Sequence, residues 1–123
     1  MFKICTSCKY EWNTLESFIG DHRLMLNGYQ VNFGDPLNGF FLFTHQIPSC
    51  QSTISIPVNK FIPIARQQLV VQHFIPGLGA CPKLCLEEKN LSTCPNKECP
   101  GSRIRELLNV IKTKLNSTQI EHL

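Results

Sequence analysis

The sequence predicts an α+β protein: an antiparallel β-meander with a short N-terminal helix, a Cys-rich metal-binding loop and a C-terminal helix. Three observations predict this class. Apolar residues alternate in the first half of the chain, four cysteines gather in the second half, and apolar residues recur at helical spacing near the C-terminus. With 123 residues, the chain is expected to form one domain, 1–123. The possible lobes are a β-rich 1–75 with a first metal site and 76–123 with the four-cysteine loop and the helix.

A helix-capping pattern predicts the first helix, and a tight-turn pattern predicts the first pair of strands. Asn13 can cap a short helix and Glu16 can reach back to the cap, with the helix running through about Ile19. Further along, Asn27-Gly28 separates two runs in which apolar residues alternate. That pattern is typical of a β-hairpin with its tight turn at these two residues.

Two more strands and a terminal helix complete the predicted fold. Phe40 to His45 has the apolar content of a buried strand, and residues 53–58 alternate as a partly buried strand does, which gives a four-stranded antiparallel meander. Residues 65–74 fit a helix or a strand, and we favour the strand. Ser102 can cap a helix that runs through about Leu115, with one apolar face that packs on the core.

Charge and hydropathy exclude several classes of protein. Twelve Lys and Arg against nine Asp and Glu leave a net charge of +3, without the dense basic face of an electrostatically driven nucleic-acid binder. The longest apolar run, 40–43, is far shorter than the roughly 20 residues that cross a bilayer, so no membrane span is expected. Polar residues and two cysteines interrupt the first twelve residues, so no export signal is expected there. Seven cysteines would leave one thiol outside a disulfide framework. A cytoplasmic protein with reduced, metal-bound thiolates is therefore expected.

The first candidate metal site begins with Cys5 and Cys8. Their two-residue spacing lets a tight turn direct both thiolates at one ion while backbone amides donate to the sulfurs. His45 and Cys50 are the expected partners, because three cysteines and one histidine are an ordinary donor set for zinc. Incidental free thiols or a redox pair are the alternatives for the two N-terminal cysteines, and a hydrogen-bonded core histidine is the alternative for His45.

Residues 5–12 read CTSCKYEW and resemble the first knuckle of zinc ribbons and rubredoxins. The usual form of that knuckle is Cys-x-x-Cys followed by glycine and an aromatic residue. Here Lys9 stands in place of the glycine, and the second Cys-x-x-Cys of a zinc ribbon has no counterpart. The resemblance is confined to these eight residues and implies a metal-binding turn at Cys5 and Cys8.

A second candidate site lies in a loop that has too few apolar residues to pack alone, so coordination is expected to hold it together. Its predicted ligands are Cys81, Cys85, Cys94 and Cys99. Zinc is the expected metal here too. An iron–sulfur cluster is an alternative, because three of these cysteines precede proline, as in ferredoxin-type ligand runs. Disulfides are the other alternative.

The two ligand sets use all seven cysteines and leave no open coordination position, so no enzymatic activity is predicted. The predicted function is that of a small cytosolic protein with two structural zinc sites, acting as an interaction or regulatory module for another protein. Basic residues of the terminal helix flank its apolar stripe, as expected for side chains that cover a core with their charged ends in water. These are Arg103, Arg105, Lys112 and Lys114. Nucleic-acid binding is thus a less favoured alternative, beside a thiolate redox sensor or an iron–sulfur electron-transfer protein.

Overall fold

A computed structural model of the chain describes residues 1–65, 84–95 and 99–121. It contains both helices and antiparallel strands, which confirms the predicted α+β class. In chain order the elements are β1 (Lys3–Ile4), β2 (Glu11–Trp12), α1 (Leu15–Ile19), β3 (Leu24–Gln30), β4 (Phe40–His45), β5 (Thr53–Pro57) and α2 (Pro100–Glu121). Short 3-10 helices cover Pro36–Asn38, Val58–Ile64 and Leu84–Leu86.

The strands form two antiparallel sheets. β1 pairs with β2 in a two-stranded ribbon, and β3, β4 and β5 form a three-stranded sheet with β4 in the centre. The predicted strands at 40–45 and 53–58 correspond to β4 and β5. The predicted four-stranded meander is wrong. The two strands predicted on either side of Asn27-Gly28 form a single strand, β3. Except for residue 65, the strand favoured at 65–74 lies outside the described residues.

The predicted hairpin turn at Asn27-Gly28 is a β-bulge inside β3. The pairing of β3 with β4 shifts register between Leu26 and Gly28, and the Asn27 side chain donates across the sheet to the Thr44 hydroxyl. An extra residue in one strand moves the following side chains to the opposite face. The buried residues Leu26 and Tyr29 are therefore three positions apart, a break in alternation that a turn and a bulge produce equally well.

α1 begins one residue later than predicted. The Thr14 hydroxyl accepts from the Ser17 amide at 3.0 Å, and the Ser17 hydroxyl accepts from the Thr14 amide at 3.1 Å. This reciprocal capping box replaces the one expected from Asn13 and Glu16. Starting there places Leu15, Phe18 and Ile19 in the core, and the burial of those side chains decides between the two adjacent caps.

α2 begins at Pro100 and continues to Glu121. The predicted cap at Ser102 is wrong, because Ser102 lies inside the helix, and the helix does not end near Leu115. Proline is favourable in the first turn, where its missing amide hydrogen has no helical partner to lose. The predicted apolar face is buried: Ile104, Leu107, Leu108, Ile111 and Leu115. Neither helix in the described ranges combines the length and the apolar content that crossing a membrane requires.

One hydrophobic core joins the sheet, α1 and α2. Phe18 lies inside it, with its ring centroid 4.9 Å from that of Phe43 and 5.1 Å from that of Trp12, both in edge-on contacts. Trp12 is the last residue of β2, so the small N-terminal ribbon is packed on the same core as the three-stranded sheet. This packing fixes where the ribbon's turn lies.

A tight backbone contact at Gly39, the residue before β4, generates a first prediction. A Cβ at Gly39 would lie 2.8 Å from the Gln30 carbonyl oxygen, although the φ of −68° suits any residue. Gly39→Ala is expected to lower the free energy of unfolding by about 2 kcal/mol, because β3 must move. Urea denaturation measures this. Gly34→Ala is the matched control, since its Cβ would meet nothing closer than 3.7 Å. Equal effects of the two changes would contradict the prediction.

Candidate metal centre

The four residues predicted as the first ligand set come from two separate turns. The turn between β1 and β2 contains Cys5 and Cys8, whereas β4 ends at His45 and the loop to β5 contains Cys50. The sequence distance between the two turns is large, so their meeting is a product of tertiary structure. The packing of Trp12 in the core holds the first turn against the second.

The ligand atoms of these four residues lie within 4.8 Å of one another. Cys5 Sγ is 3.6 Å from Cys50 Sγ, and Cys8 Sγ is 3.5 Å from His45 Nδ1. Tetrahedral zinc, with bonds of about 2.3 Å to sulfur and 2.0 Å to nitrogen, separates two sulfurs by about 3.8 Å and a sulfur from a nitrogen by about 3.5 Å. A disulfide would need about 2.0 Å, and the cysteines are free. The group could therefore hold a metal ion.

The two turns have matching backbone hydrogen bonds. In the first, the Cys5 amide donates to the Tyr10 carbonyl at 2.8 Å and the Cys5 carbonyl accepts from the Lys9 amide at 2.8 Å. In the second, the His45 amide donates to the Ser52 carbonyl at 3.0 Å and the His45 carbonyl accepts from the Gln51 amide at 3.1 Å. The partners are thus the first and second residues after Cys8 and Cys50. Their different spacing in the sequence hid this correspondence.

Both turns also require a left-handed residue directly after their second cysteine. Lys9 has φ of 69° and Gln51 has φ of 53°, in the region that favours glycine. The knuckle that residues 5–12 resemble has glycine at the position of Lys9. Because Lys9 and Gln51 adopt the left-handed conformation although neither is glycine, the surrounding structure must hold both turns in place.

Hydrogen bonds to sulfur make Cys5 unusually acidic. Desolvation raises the pKa of Cys5, but the Cys8 amide, the Ser52 hydroxyl, the His45 ring and the Ser7 amide together lower this pKa to about 5. At neutral pH Cys5 is then a thiolate, the form that binds metal.

The neighbouring thiol behaves in the opposite way. The Tyr10 amide lowers the pKa of Cys8, but desolvation and the adjacent sulfurs of Cys5 and Cys50 outweigh it and raise this pKa. Thiolates crowded together repel one another, and a bound cation would remove that repulsion.

Ser52 is a site residue that the sequence analysis missed. Its hydroxyl lies 2.9 Å from Cys50 Sγ and 3.4 Å from Cys5 Sγ, between one sulfur from each turn. A hydroxyl donates to a thiolate and so helps to fix its position, as residues behind metal ligands commonly do. The sequence carried no signal for this role, because it depends on the contact between Cys5 and Cys50, which lie far apart in the chain.

Aromatic rings enclose His45, which is fully buried. The Trp12 ring meets the imidazole edge-on at 5.0 Å between centroids, and the Tyr10 ring lies at 5.8 Å. His45 Nε2 is buried and without a hydrogen-bond partner, while Nδ1 faces the sulfur of Cys8. Nδ1 is therefore the ring nitrogen that could bind a metal ion together with the cysteine sulfurs.

A buried carboxylate connects the rings around His45. Asp21 accepts from Trp12 Nε1 at 3.0 Å and from Arg23 Nε at 3.0 Å, and the guanidinium of Arg23 lies 4.8 Å from the centroid of Tyr10. Desolvation raises the pKa of Asp21, but its bonds to Arg23 and Trp12 outweigh this and lower it. The ionised carboxylate thus positions both aromatic side chains.

The second predicted ligand set is partly described. Cys81 lies outside the described residues. Burial raises the pKa of Cys85, the Arg105 guanidinium acts to lower it, and the charges of Cys99 and Cys94 raise it further. Within residues 1–65, 84–95 and 99–121, the converging group of metal-binding atoms is the first one. The second ligand set stays a prediction.

Arg105 differs from its predicted placement. Its charged end was expected in water at the edge of the α2 apolar stripe, but the side chain is fully buried. Nη1 donates to the Asn90 carbonyl at 2.8 Å and to the Ser92 carbonyl at 3.0 Å, which ties the cysteine-bearing loop to the helix. The predicted exposed position of this guanidinium is therefore wrong.

Comparison of the chain with protein-family models, with curated proteins and with solved structures gave no significant match.

The left-handed residues generate a second prediction. Lys9→Gly is expected to be more stable than Lys9→Ala by about 1 kcal/mol, because glycine adopts this backbone without strain whereas alanine keeps the strain of lysine. Denaturant unfolding of the two variants measures the difference. The matched pair Lys112→Gly and Lys112→Ala, inside α2, should show the reverse order. A less stable glycine variant at position 9 would contradict the assignment of strain to this turn.

Proposed function

We propose that the chain is a zinc-binding protein that acts as a non-catalytic interaction or regulatory module. In this proposal Cys5, Cys8, His45 and Cys50 hold one structural zinc ion. The observation that supports it is the convergence of their four ligand atoms within 4.8 Å. Three thiolates and an imidazole are a donor set that zinc accepts in tetrahedral sites.

A structural role fits the composition of the site. Catalytic zinc sites keep a position open for water, whereas four protein ligands close the coordination shell. The ion would join the two-residue strands β1 and β2 to the turn between β4 and β5. A ribbon this short is not stable alone, so the metal and the packing of Trp12 would fix it on the sheet.

A second zinc ion is proposed at Cys81, Cys85, Cys94 and Cys99. The spacing of the four cysteines in the sequence supports it. An iron–sulfur cluster is the alternative for this site. Iron in sulfur ligation absorbs in the visible whereas zinc does not, so colour and elemental analysis distinguish the two.

The proposal of a protein partner is supported by the surface beside the first site. Tyr10 and Met25 are each about two-fifths exposed, with relative exposures of 42% and 41%. The Arg23 guanidinium stacks on the Tyr10 ring. Gln46 connects Arg23 to Met25, because its backbone amide donates to the Arg23 carbonyl and its side-chain amide donates to the Met25 sulfur. Tyrosine, methionine and arginine are enriched in protein interfaces. Reduced thiols would suit a cytoplasmic location.

The zinc assignment predicts a stoichiometry. Anaerobically purified protein should contain two zinc ions per chain and be colourless, and Cys5→Ser and His45→Ala should each remove one ion and leave the other. Cys94→Ser should remove the other ion. Elemental analysis measures the count, and His22→Ala is the matched control that should retain both.

Three results would decide against this assignment. Two zinc ions retained in His45→Ala would show that His45 is not a ligand and would reopen catalysis at an open zinc position. Iron and sulfide in a brown protein would replace zinc by a cluster at the second site. A near-UV spectrum unchanged after complete chelation would contradict a structural role, because Trp12 packs on His45.

The functional class predicts weak affinity for nucleic acids. Burial of Arg105 removes one cation from the surface of α2, and the net charge is only +3. Binding to random-sequence DNA and RNA, measured by fluorescence anisotropy at low ionic strength, should therefore stay below the affinity typical of non-specific binders, a Kd of about 10⁻⁶ M or tighter in low salt. Tight binding that weakens steeply with salt would instead favour a nucleic-acid-binding protein.

A further inference from the structure

The first metal centre brings together two cysteines that come from different turns. Cys5 Sγ and Cys50 Sγ are 3.6 Å apart. A disulfide bond is about 2.0 Å long, so the two sulfurs would have to approach by roughly 1.6 Å to form one. The Cys8 sulfur contacts the imidazole instead, 3.5 Å from His45 Nδ1. The pair that spans the two turns is therefore the candidate pair for oxidation.

The two cysteines of this pair differ in their access to solvent. Cys5 is 0% exposed and packs in the core, whereas Cys50 is partly exposed. A small oxidant dissolved in water therefore meets Cys50 before Cys5. Oxidation-sensitive cysteines are commonly accessible and placed beside a second cysteine that attacks the oxidised one. Cys50 and Cys5 have these two placements.

A hydroxyl group lies between the same two sulfurs. Ser52 Oγ is 2.9 Å from Cys50 Sγ and 3.4 Å from Cys5 Sγ. The Ser52 carbonyl accepts from the His45 amide at 3.0 Å, which holds this residue at the end of β4. A hydrogen bond donated to a thiolate makes the sulfur less nucleophilic. Ser52 therefore restrains the attack of Cys50 on an oxidant.

We propose that Cys50 and Cys5 are a peroxide-responsive pair, which oxidation joins as a disulfide with release of the zinc ion of the first centre. This inference rests on the first zinc ion of the proposed function and names how that site is regulated. Oxidation of two ligands leaves Cys8 and His45. Two ligands are too few for a structural zinc site, which has four.

The oxidation consists of two balanced steps, with hydrogen peroxide as the oxidant. The Cys50 thiolate attacks one peroxide oxygen, the O–O bond breaks, and a sulfenic acid and a hydroxide form. The Cys5 thiolate then attacks the Cys50 sulfur, the S–O bond breaks, and a second hydroxide leaves as the disulfide forms. The two thiolates lose two electrons and the peroxide gains them. Two protons from solvent convert the hydroxides to water.

The disulfide would preserve the fold while the metal is lost. The ion joins the turn after β1 to the turn after β4, and a bond between Cys5 and Cys50 joins the same two turns. The N-terminal ribbon would thus stay on the sheet. The change would fall on Cys8 and His45, and the His45 ring lies 5.8 Å from the ring of Tyr10. Oxidation would therefore act on the surface that the proposed function assigns to a protein partner.

Peptide mapping tests the pairing directly. Zinc-loaded full-length protein, purified anaerobically, is treated with a small molar excess of hydrogen peroxide, and the remaining thiols are alkylated in denaturant. Mass spectrometry of the digest should show Cys5 linked to Cys50 and Cys8 alkylated, and the linkage should form in step with zinc release. Reduction with a dithiol in the presence of zinc should restore the starting protein. A linkage of Cys8 to either cysteine in place of this one would overturn the inference.

Ser52→Ala tests which sulfur the peroxide meets, and it removes no ligand. The nucleophilicity of a thiolate rises when a hydrogen bond to it is removed, so the linked peptide should form about threefold faster than in the wild type. Quenching by alkylation at intervals measures the rate. Ser55→Ala, at an exposed serine of β5, is the matched control and should keep the wild-type rate. A rate that does not rise in Ser52→Ala would overturn the assignment of Cys50 as the attacked sulfur.

Near-UV circular dichroism tests whether the disulfide replaces the ion in holding the ribbon. The Trp12 ring packs on His45 and Phe18, so its signal reports the position of β2. The signal should be largely retained in the oxidised protein and lost when the reduced protein is chelated. Equal loss of signal in the two states would contradict the proposed preservation of the fold.

The outcomes separate this inference from the proposed function. A reduced protein whose zinc content does not fall in Cys5→Ser would refute the first zinc ion, and the inference would be overturned with it. A reduced protein that loses one ion in Cys5→Ser, but forms no linkage between Cys5 and Cys50 with peroxide, would overturn the inference and leave the proposed function intact. Loss of one ion in Cys5→Ser together with that linkage would support both.

Discussion

The meeting of the two ligand turns is the constraint on which the rest of the structure depends. Cys5 and Cys8 must face His45 and Cys50 across a gap of a few ångströms, although their sulfurs repel one another when ionised. Matching hydrogen bonds fix the two turns, and each accepts a strained left-handed residue to do so. The backbone of the two turns thus directs the four side chains at one point.

Packing of the core and geometry of the site are coupled through Trp12. This residue contacts Phe18 in the core, His45 at the site and the Asp21 carboxylate. A change in core packing that moves Trp12 would therefore also move His45. The aromatic shell also keeps water from His45, which strengthens electrostatic interactions inside the site. Metal binding and folding of the N-terminal ribbon are therefore expected to be a single process.

The sequence predicted what depends on residue chemistry and local period. β4 followed from a continuous apolar run and β5 from apolar alternation, and the four residues of the first group were selected by donor type, because few side chains bind metal ions. Features that depend on contacts between distant residues were not predictable. The bulge at Asn27-Gly28 has the sequence signature of a turn, and Ser52 became visible only when Cys5 was placed beside Cys50. The second ligand set remains a prediction, since spacing alone supports Cys81.

Helical periodicity alone predicted an exposed guanidinium at Arg105, and its buried position shows why that prediction failed. A cation on the edge of an apolar stripe is expected to extend into water, since dehydrating a guanidinium is costly. The cost is acceptable where anionic or carbonyl acceptors meet the helix, and the loop around Asn90 supplies two carbonyls. The same periodic pattern therefore fits an exposed or a buried cation, and what packs on the helix decides between them.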